Sequence, residues 1–383
     1  MKKTQETLQV ENIANVPIMY IAFELSAKNW KLAFSNRDKV RYKSILAGDL
    51  VRLQEEIQKA KLRFQIDNQV RSVSCYEAGR DGFWLHRYLI SSGTENLVVD
   101  SSSIEVNRRK RRAKTDRIDV SKLLRMLIRH HDGEKGLWSI VHVPSMDDED
   151  ARHLNRELNN LKKERTIHRN RIRGLLIQHG LKVSNPSRRY FLKELETLRQ
   201  YDSRTLPIGL KSRVVREYNR LRLVEDQIST LEKEKKNKLM CADTVPLRKI
   251  AQLQLLHGIG TVSSWAFVNE FFGWRNFKNR REVAGLSGLA PTPYDSGDRV
   301  RNQGISKAGS ARIRTLAIEL SWAWLRFQPH SKLSRWYIRR FASGGKRMRR
   351  IGIVAMARRL LIDLWRYLEY GIVPEGARLR LVK

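Results

Sequence analysis

Residues Arg108 to Met126 read RRKRRAKTDRIDVSKLLRM. Six of the first seven are basic, Ala113 being the exception. Thr115, Asp116 and Asp119 follow, while Ile118, Val120, Leu123, Leu124 and Leu127 recur at helical spacing. Thr115 is a good N-cap, so the helix is expected to start there. Residues i and i+3 share a helix face, which points Asp116 and Asp119 the same way, one turn apart. Neighbouring carboxylates repel unless a cation lies between them, and Mg²⁺ takes carboxylate and water oxygens. The competing reading is a solvated helix start, where acids suit the helix dipole. The placement of the other acids in the chain weighs for the metal.

Composition narrows the classes. In 383 residues, Lys and Arg number 75 against 40 Asp and Glu, a net charge of +35. Such an excess calls for a polyanionic partner, nucleic acid first. An anionic membrane surface is the rival, but no apolar run approaches the ~20 residues of a spanning helix, and no signal peptide is expected. The two cysteines, Cys75 and Cys241, have no ligand-like spacing, which argues against a zinc finger and for a reducing cytoplasm. Nine Trp and 41% hydrophobic residues exclude wholesale disorder. This length predicts two or three domains.

Upstream of the opening stretch, the pattern predicts strands at Ile18–Leu25, Trp30–Phe34, Arg41–Leu46, Val70–Tyr76 and Leu97–Val99. Helices are predicted at Leu50–Phe64 and Gly82–Leu89. The order β-β-β-α-β-α-β-α gives a mixed α/β sheet flanked by helices over residues 1–145. Glu24 ends the first strand, Glu77 follows a later one, and Asp116 and Asp119 start a helix. Strand ends and helix starts are where α/β folds build sites.

Beyond Pro144 the pattern changes. Leu154, Leu158, Leu161, Arg165, His168, Ile172 and Leu175 form a heptad seam with two polar interruptions, and Val214, Tyr218, Leu221, Val224, Ile228 and Leu231 form another. Residues 146–244 are therefore expected to form a coiled-coil region: an antiparallel arm, a dimerising coil, or both. Ordinary bundle helices would show the same spacing over so few heptads. Residues 245–383 form a third, mainly helical unit. There Gly258-Ile259-Gly260 makes a hairpin able to offer N–H groups to a phosphate, or a plain turn. A loop rich in Gly, Pro, Ser and Arg follows, carrying Ser296, Arg299, Arg301, Ser306 and Lys307, and leads to a helix with Arg312 and Arg314 at its start. The segment from Lys346 is an amphipathic basic helix suited to a nucleic-acid backbone.

Four carboxylates converging on one sheet edge can hold two divalent metals ~4 Å apart for attack on a phosphodiester. The cations Arg108, Arg109, Lys110, Arg111, Arg112 and Lys114 would hold the strand beside them. Ser296, in the loop with Arg299 and Arg301, can act as a nucleophile toward phosphate, although turn serines are common. Ser306 competes for that role and can equally cap the next helix.

Three stretches, in order, resemble the DEDD-type insertion-sequence transposases, relatives of the Piv-type DNA invertases: IAFELSAKNWKLAF, CYEAGRDGFWLHRYL and RAKTDRIDVSKLL. The C-terminal part is similar too, in LLHGIGTV, in AGLSGLAPTPYDSGDRVRNQGISKAGSARIRTLAIELSWAW and in KRMRRIGIVAMARRLLIDLW. The resemblance spans nearly the whole chain. It implies an RNase H or RuvC-like domain, a coiled-coil middle and a C-terminal transposase domain. It implies homodimers or homotetramers acting on donor and target DNA, guided by a structured (bridge) RNA, in the bacterial cytoplasm at the nucleoid. It further implies Mg²⁺ (or Mn²⁺) held by Glu24, Glu77, Asp116 and Asp119, with Ser296 forming a covalent link to DNA. Since the acids and the serine lie in different domains, the active site is expected to be composite. One departure stands out: the family's first acid is usually Asp, and here FELSA supplies Glu24, one methylene longer. A RuvC-like junction nuclease using water, for which Ser296 is dispensable, is the alternative. A non-catalytic nucleic-acid binder, for which the acids are dispensable too, is the third.

Overall fold

The computed structural model describes residues 17–67, 69–79, 82–104, 116–240, 244–296 and 299–380, with backbone alone at 102, 295, 296 and 299–302. The chain forms two compact units, residues 1–143 and 144–383. The basic run Arg108 to Lys114, the Thr115 cap and Cys241 lie outside the described residues.

The first unit contains β1 (Met19–Glu24), β2 (Asn29–Ser35), β3 (Val40–Leu46), α1 (Leu50–Arg63), β4 (Ser72–Glu77), α2 (Trp84–Ser91), β5 (Thr94–Val99) and α3 (Asp116–His131). The five strands make one mixed sheet in the order β3-β2-β1-β4-β5. β1 to β3 form an antiparallel meander, and β4 and β5 run parallel to β1. A strand covered on both faces reads as an unbroken apolar run. β1 does so: Met19 through Phe23 are each 0% exposed. On one face Ile21, Phe23, Leu32 and Phe34 pack with Leu53 and Ile57 of α1 and Leu85 and Leu89 of α2. On the other, Tyr20, Ala22, Ala33 and Cys75 pack with Val120, Leu123, Leu124 and Leu127 of α3. The element order matches the sequence expectation.

The second unit opens with α4 (Met146–Ile177), α5 (Phe191–Thr197) and α6 (Ile208–Met240). Ser145 and Asp148 form a reciprocal capping box at the start of α4, satisfying donors a helix start leaves orphaned. α4 and α6 pair antiparallel within the chain. Lys162 bonds Glu232 at 2.8 Å, Arg169 bonds Glu225 at 3.0 Å and His168 bonds Glu217 at 2.6 Å, so one helix rises as the other falls. The heptad residues are consumed in this pairing. Leu158 and Leu161 pack with Val224 and Ile228, and Ile172 packs with Val214, Tyr218 and Leu221. Among the open readings of the seam, the antiparallel arm is the one present within a single chain. Leu176 rather than Leu175 is the fully buried residue at the end of α4. The short α5, unforeseen between its breakers, inserts Phe191 and Leu195 into the same cluster.

The rest comprises α7 (Val245–Gln254), α8 (Thr261–Phe267), α9 (Arg280–Leu286), β6 (Pro291–Ser296), β7 (Arg299–Ile305), α10 (Ala311–Phe327), α11 (Lys332–Tyr337) and α12 (Lys346–Tyr370). Trp324, Phe267, Phe271, Ile353, Leu360 and Leu364 belong to the single core cluster of these helices. The segment expected as a loop is a two-stranded antiparallel ribbon, β6 on β7. Pro291 and Pro293 disguised it. An isolated ribbon leaves one edge of each strand unpaired, and there a missing N–H costs nothing. Ser306 is not a helix cap: its N–H donates to the Ala290 carbonyl at 2.8 Å, and Ser310 caps α10 by accepting from Ile313 N–H.

Candidate active site

Strand alternation assigns each acid a face. Side chains alternate along a strand. Tyr20 and Ala22 pack against α3, so Glu24, two residues on, belongs to that face. In β4, Val73 and Cys75 face α3, and Glu77 ends the strand in the same phase. β1 and β4 are parallel with Phe23 beside Tyr76, so Glu24 and Glu77 finish abreast. On α3, Val120, Leu123 and Leu124 are buried against the same face. Asp116 and Asp119 sit four residues before Val120 and Leu123, one turn nearer the helix start. The backbone thus brings all four carboxylates to one face at one edge of the sheet. Glu24 and Asp119 are half-buried, Glu77 and Asp116 exposed. Cys75, wholly buried beneath them, has its thiol pushed up by burial, which suppresses the nucleophilic thiolate.

A cation the sequence reading did not single out stands among these acids. Lys31 is the cross-strand partner of Glu24, and such partners share a face. Its Nζ lies 3.3 Å from Asp116 Oδ2. Only the antiparallel register of β1 and β2, set by the turn at Ser26–Lys28, brings it there; the spacing of the two residues in sequence carries no such signal. Among the described residues no three His, Cys, Asp or Glu side chains are gathered closely enough to hold a metal. The donor set itself is all hard carboxylate oxygen, which suits Mg²⁺ or Mn²⁺. Gathering it round such an ion requires Asp116 to exchange the Lys31 ammonium for the metal.

The second unit carries the remaining candidates. Ser296 is the last residue of β6, paired with Arg299 across the ribbon, and Tyr294 pairs with Arg301. The ribbon's base is tightly built. Gly288 and Gly309 have φ of +68° and +92°, and an added Cβ would lie 2.2 Å from the Ala308 and Leu286 carbonyl oxygens respectively. Only glycine fits such a left-handed, close-packed position. Lys307, at φ 57°, donates its N–H to the Gly288 carbonyl. Arg314 donates to the Lys307 carbonyl at 3.2 Å, and Arg312 bonds Glu270 at 2.7 Å. The structure therefore gives both arginines internal partners. Arg156 donates two further bonds to Glu270, at 2.9 and 2.7 Å. The sequence reading missed Glu270, whose partners lie 114 and 42 residues away.

The Gly258-Ile259-Gly260 turn is likewise well occupied. Gly258 has φ +93° and an added Cβ would meet Phe327 Cβ at 2.8 Å. Ile259 is wholly buried, and its carbonyl accepts from Arg380. Gly260 only caps the seven-residue α8. Packing accounts for Gly258, whereas a Cβ at Gly260 would meet open space.

The chain thus joins a mixed sheet with acids at its strand ends to a basic helical unit carrying a ribbon, and its sequence has known relatives. Residues 250–334, which include Glu270, the ribbon and α10, match the model of the transposase IS116/IS110/IS902 family. A putative transposase of Sinorhizobium fredii, y4rJ, is 39% identical over 94% of this chain and 94% of its own length. Another from that organism, y4qE, is 28% identical over 67% of this chain and 59% of its own. The transposase for insertion sequence element IS1328 of Yersinia enterocolitica is 26% identical over 48% of this chain and 52% of its own. The chain belongs to the IS116/IS110/IS902 transposase family. Among the described residues no helix is long and apolar enough to cross a membrane.

Proposed function

We propose that the chain cuts and rejoins DNA for its insertion sequence with a metal-binding carboxylate edge and a serine nucleophile, guided by a structured RNA. What supports this is backbone placement: Glu24 and Glu77 end β1 and β4 on the face covered by α3, and Asp116 and Asp119 start α3. These four would hold the metal. When bound, Mg²⁺ or Mn²⁺ neutralises charge on a phosphate under attack. The mixed sheet with acids at its parallel strand ends supports the RuvC-like reading of the first unit. Ser296, at the end of β6, attacks phosphorus through its hydroxyl oxygen; the new O–P bond replaces the P–O bond to the 3′ or 5′ oxygen of the cut strand, and the serine proton passes, directly or through water, to that departing oxygen. The backbone ribbon presents it, and Arg299 and Arg301 stand on the opposing strand to receive the phosphate. The net charge of +35 suits both a DNA and an RNA partner.

The test is the covalent adduct. Denatured protein recovered from a DNA substrate should retain DNA; Ser296→Ala should abolish both adduct and strand cleavage while leaving binding intact. An adduct that survives Ser296→Ala but not Ser306→Ala moves the nucleophile to Ser306. Cleavage that survives both makes water the nucleophile and the chain a junction nuclease. Sequencing of the nucleic acid that co-purifies should return one discrete structured RNA; heterogeneous fragments would remove the guide.

A further inference from the structure

A second basic site lies wholly within the helical unit, away from the serine ribbon in sequence. α9, α11 and α12, with the chain after α12, enclose a cleft of about 740 Å³. Arg280 and Arg281 from the start of α9 line it, with Arg339 just after α11 and Arg358, Arg359 and Arg366 from α12. Of its two carboxylates, Glu375 is consumed by Lys332 at 2.6 Å. The other, Asp363, is largely buried, which lifts its carboxyl above the ordinary aspartate range although Arg366 and Arg359 oppose the shift. Cations crowded at this density repel one another, so the cleft is arranged for an anion.

The site has more than charge. The Arg359 guanidinium lies 4.0 Å from the Trp336 ring centre, and Trp336 is braced edge-on by Phe341 at 5.3 Å. A planar cation laid on an indole presents its outer face as a flat platform, the surface on which an unstacked base packs. A phosphate avoids Asp363, whereas a base amino group donates to it. Phosphate groups, a stacking plane and a buried acceptor are together what a nucleotide outside a duplex needs; paired bases cannot enter such a cleft.

We propose that this cleft binds a single-stranded segment of nucleic acid, with phosphates on Arg280, Arg281 and Arg339 and one base on the Arg359–Trp336 platform facing Asp363. This rests on the reading of the chain as a nucleic-acid enzyme and adds a strand-holding site to it. Cytosine and adenine carry a free amino group on the exposed edge, while thymine and uracil do not, so the cleft should prefer oligo(dC) to oligo(dT).

Fluorescence anisotropy of the full chain with oligo(dC), oligo(dT), oligo(rC) and a duplex tests this. Arg280→Gln with Arg281→Gln, both exposed, should weaken oligo(dC) at least tenfold. The same pair should flatten its salt slope by ~1.4, about 0.7 for each phosphate no longer neutralised, and change duplex binding little. Asp363→Ala should remove the preference for oligo(dC) over oligo(dT). Comparison of oligo(dC) with oligo(rC) tells whether DNA or RNA is the better occupant. Unchanged single-strand affinity and slope in the double variant would overturn the cleft, as would equal losses for single strand and duplex. Failure of the wild-type chain to bind any of the four would overturn the proposed function with it.

Discussion

At the scale of single residues, Lys31 and Glu270 do different electrostatic work. The Lys31 ammonium lies beside Asp116, where it would compete with the proposed divalent cation for the same carboxylate. Lys31→Gln is expected to tighten Mn²⁺ binding several-fold, read by the quenching of Mn²⁺ paramagnetic resonance on titration; unchanged affinity would show that the ammonium does not compete. Glu270 is a structural anchor. Burial pushes its carboxyl up, but the hydrogen bonds from Arg156 and the charge of Arg156 and Arg312 outweigh this, leaving it below the ordinary carboxylate range. A carboxyl with a lower pKa folded than unfolded stabilises fully above its unfolded value and loses that contribution as pH falls through the folded one. Glu270→Gln should therefore cost about 1–3 kcal/mol near neutral pH, because it weakens the charged hydrogen bonds while water still reaches the two half-exposed guanidinium groups. It should also make melting in the acid range less dependent on pH. Thermal unfolding followed by circular dichroism from neutral to acid pH checks both, and a parallel acid decline in the variant would refute the assignment.

At the scale of elements, burial explains what the sequence made legible. The run at β1 is apolar on both faces and points into two separate cores, and β4 sets Val73 and Cys75 into one of them and Tyr76 into the other; such runs can be read without a structure. The spacing of Asp116 and Asp119 and the strand-end positions of Glu24 and Glu77 were legible for the same reason. Lys31 and Glu270 were not, because their partners are set by strand register and by helix packing between distant segments. The ribbon β6–β7 was hidden because Pro291, Pro293 and the Gly-Asp dipeptide in the sequence read as loop. Its base depends on Gly309, and Gly309→Ala should cost at least ~1–3 kcal/mol from backbone strain alone, measured as a fall in the denaturant midpoint. The heptad seams were visible as seams, and an antiparallel arm was among their readings, but spacing alone did not choose it over a dimerising coil. Leu221, 0% exposed between α4 and α6, gives a second check. Leu221→Ala should destabilise by about 2–5 kcal/mol and leave the mass by light scattering unchanged, since the seam is internal; dissociation into lighter species would place a subunit contact there.

At the scale of the whole molecule, the charge governs binding more than any single arginine or lysine does. With 75 basic residues against 40 acidic ones, association with DNA or RNA should be dominated by counterion release. A chain making ~6–10 phosphate contacts is expected to lose ~10³–10⁵ in affinity between about 50 and 200 mM salt. Filter binding across that range measures the slope, and an affinity flat in salt would point to a partner recognised by shape rather than charge. Composition alone carries this expectation, because net charge is a sum and needs no fold. Which cations are available is a matter of fold: Arg312 and Arg314 are already engaged internally, whereas Arg280 and Arg281 stand exposed at the start of α9.

The ribbon has a further consequence, as a ruler. Its foot is clamped by Gly288, Gly309 and Arg314, while Ser296 rides at its far end. Each strand advances about 3.4 Å per residue and alternates sides. Lengthening both strands by two residues would carry the hydroxyl some 7 Å outward with the same side forward; lengthening by one would turn it to the back. For the nucleophile proposed here, reach would therefore change only by even increments of strand length, and odd ones would turn the residue away.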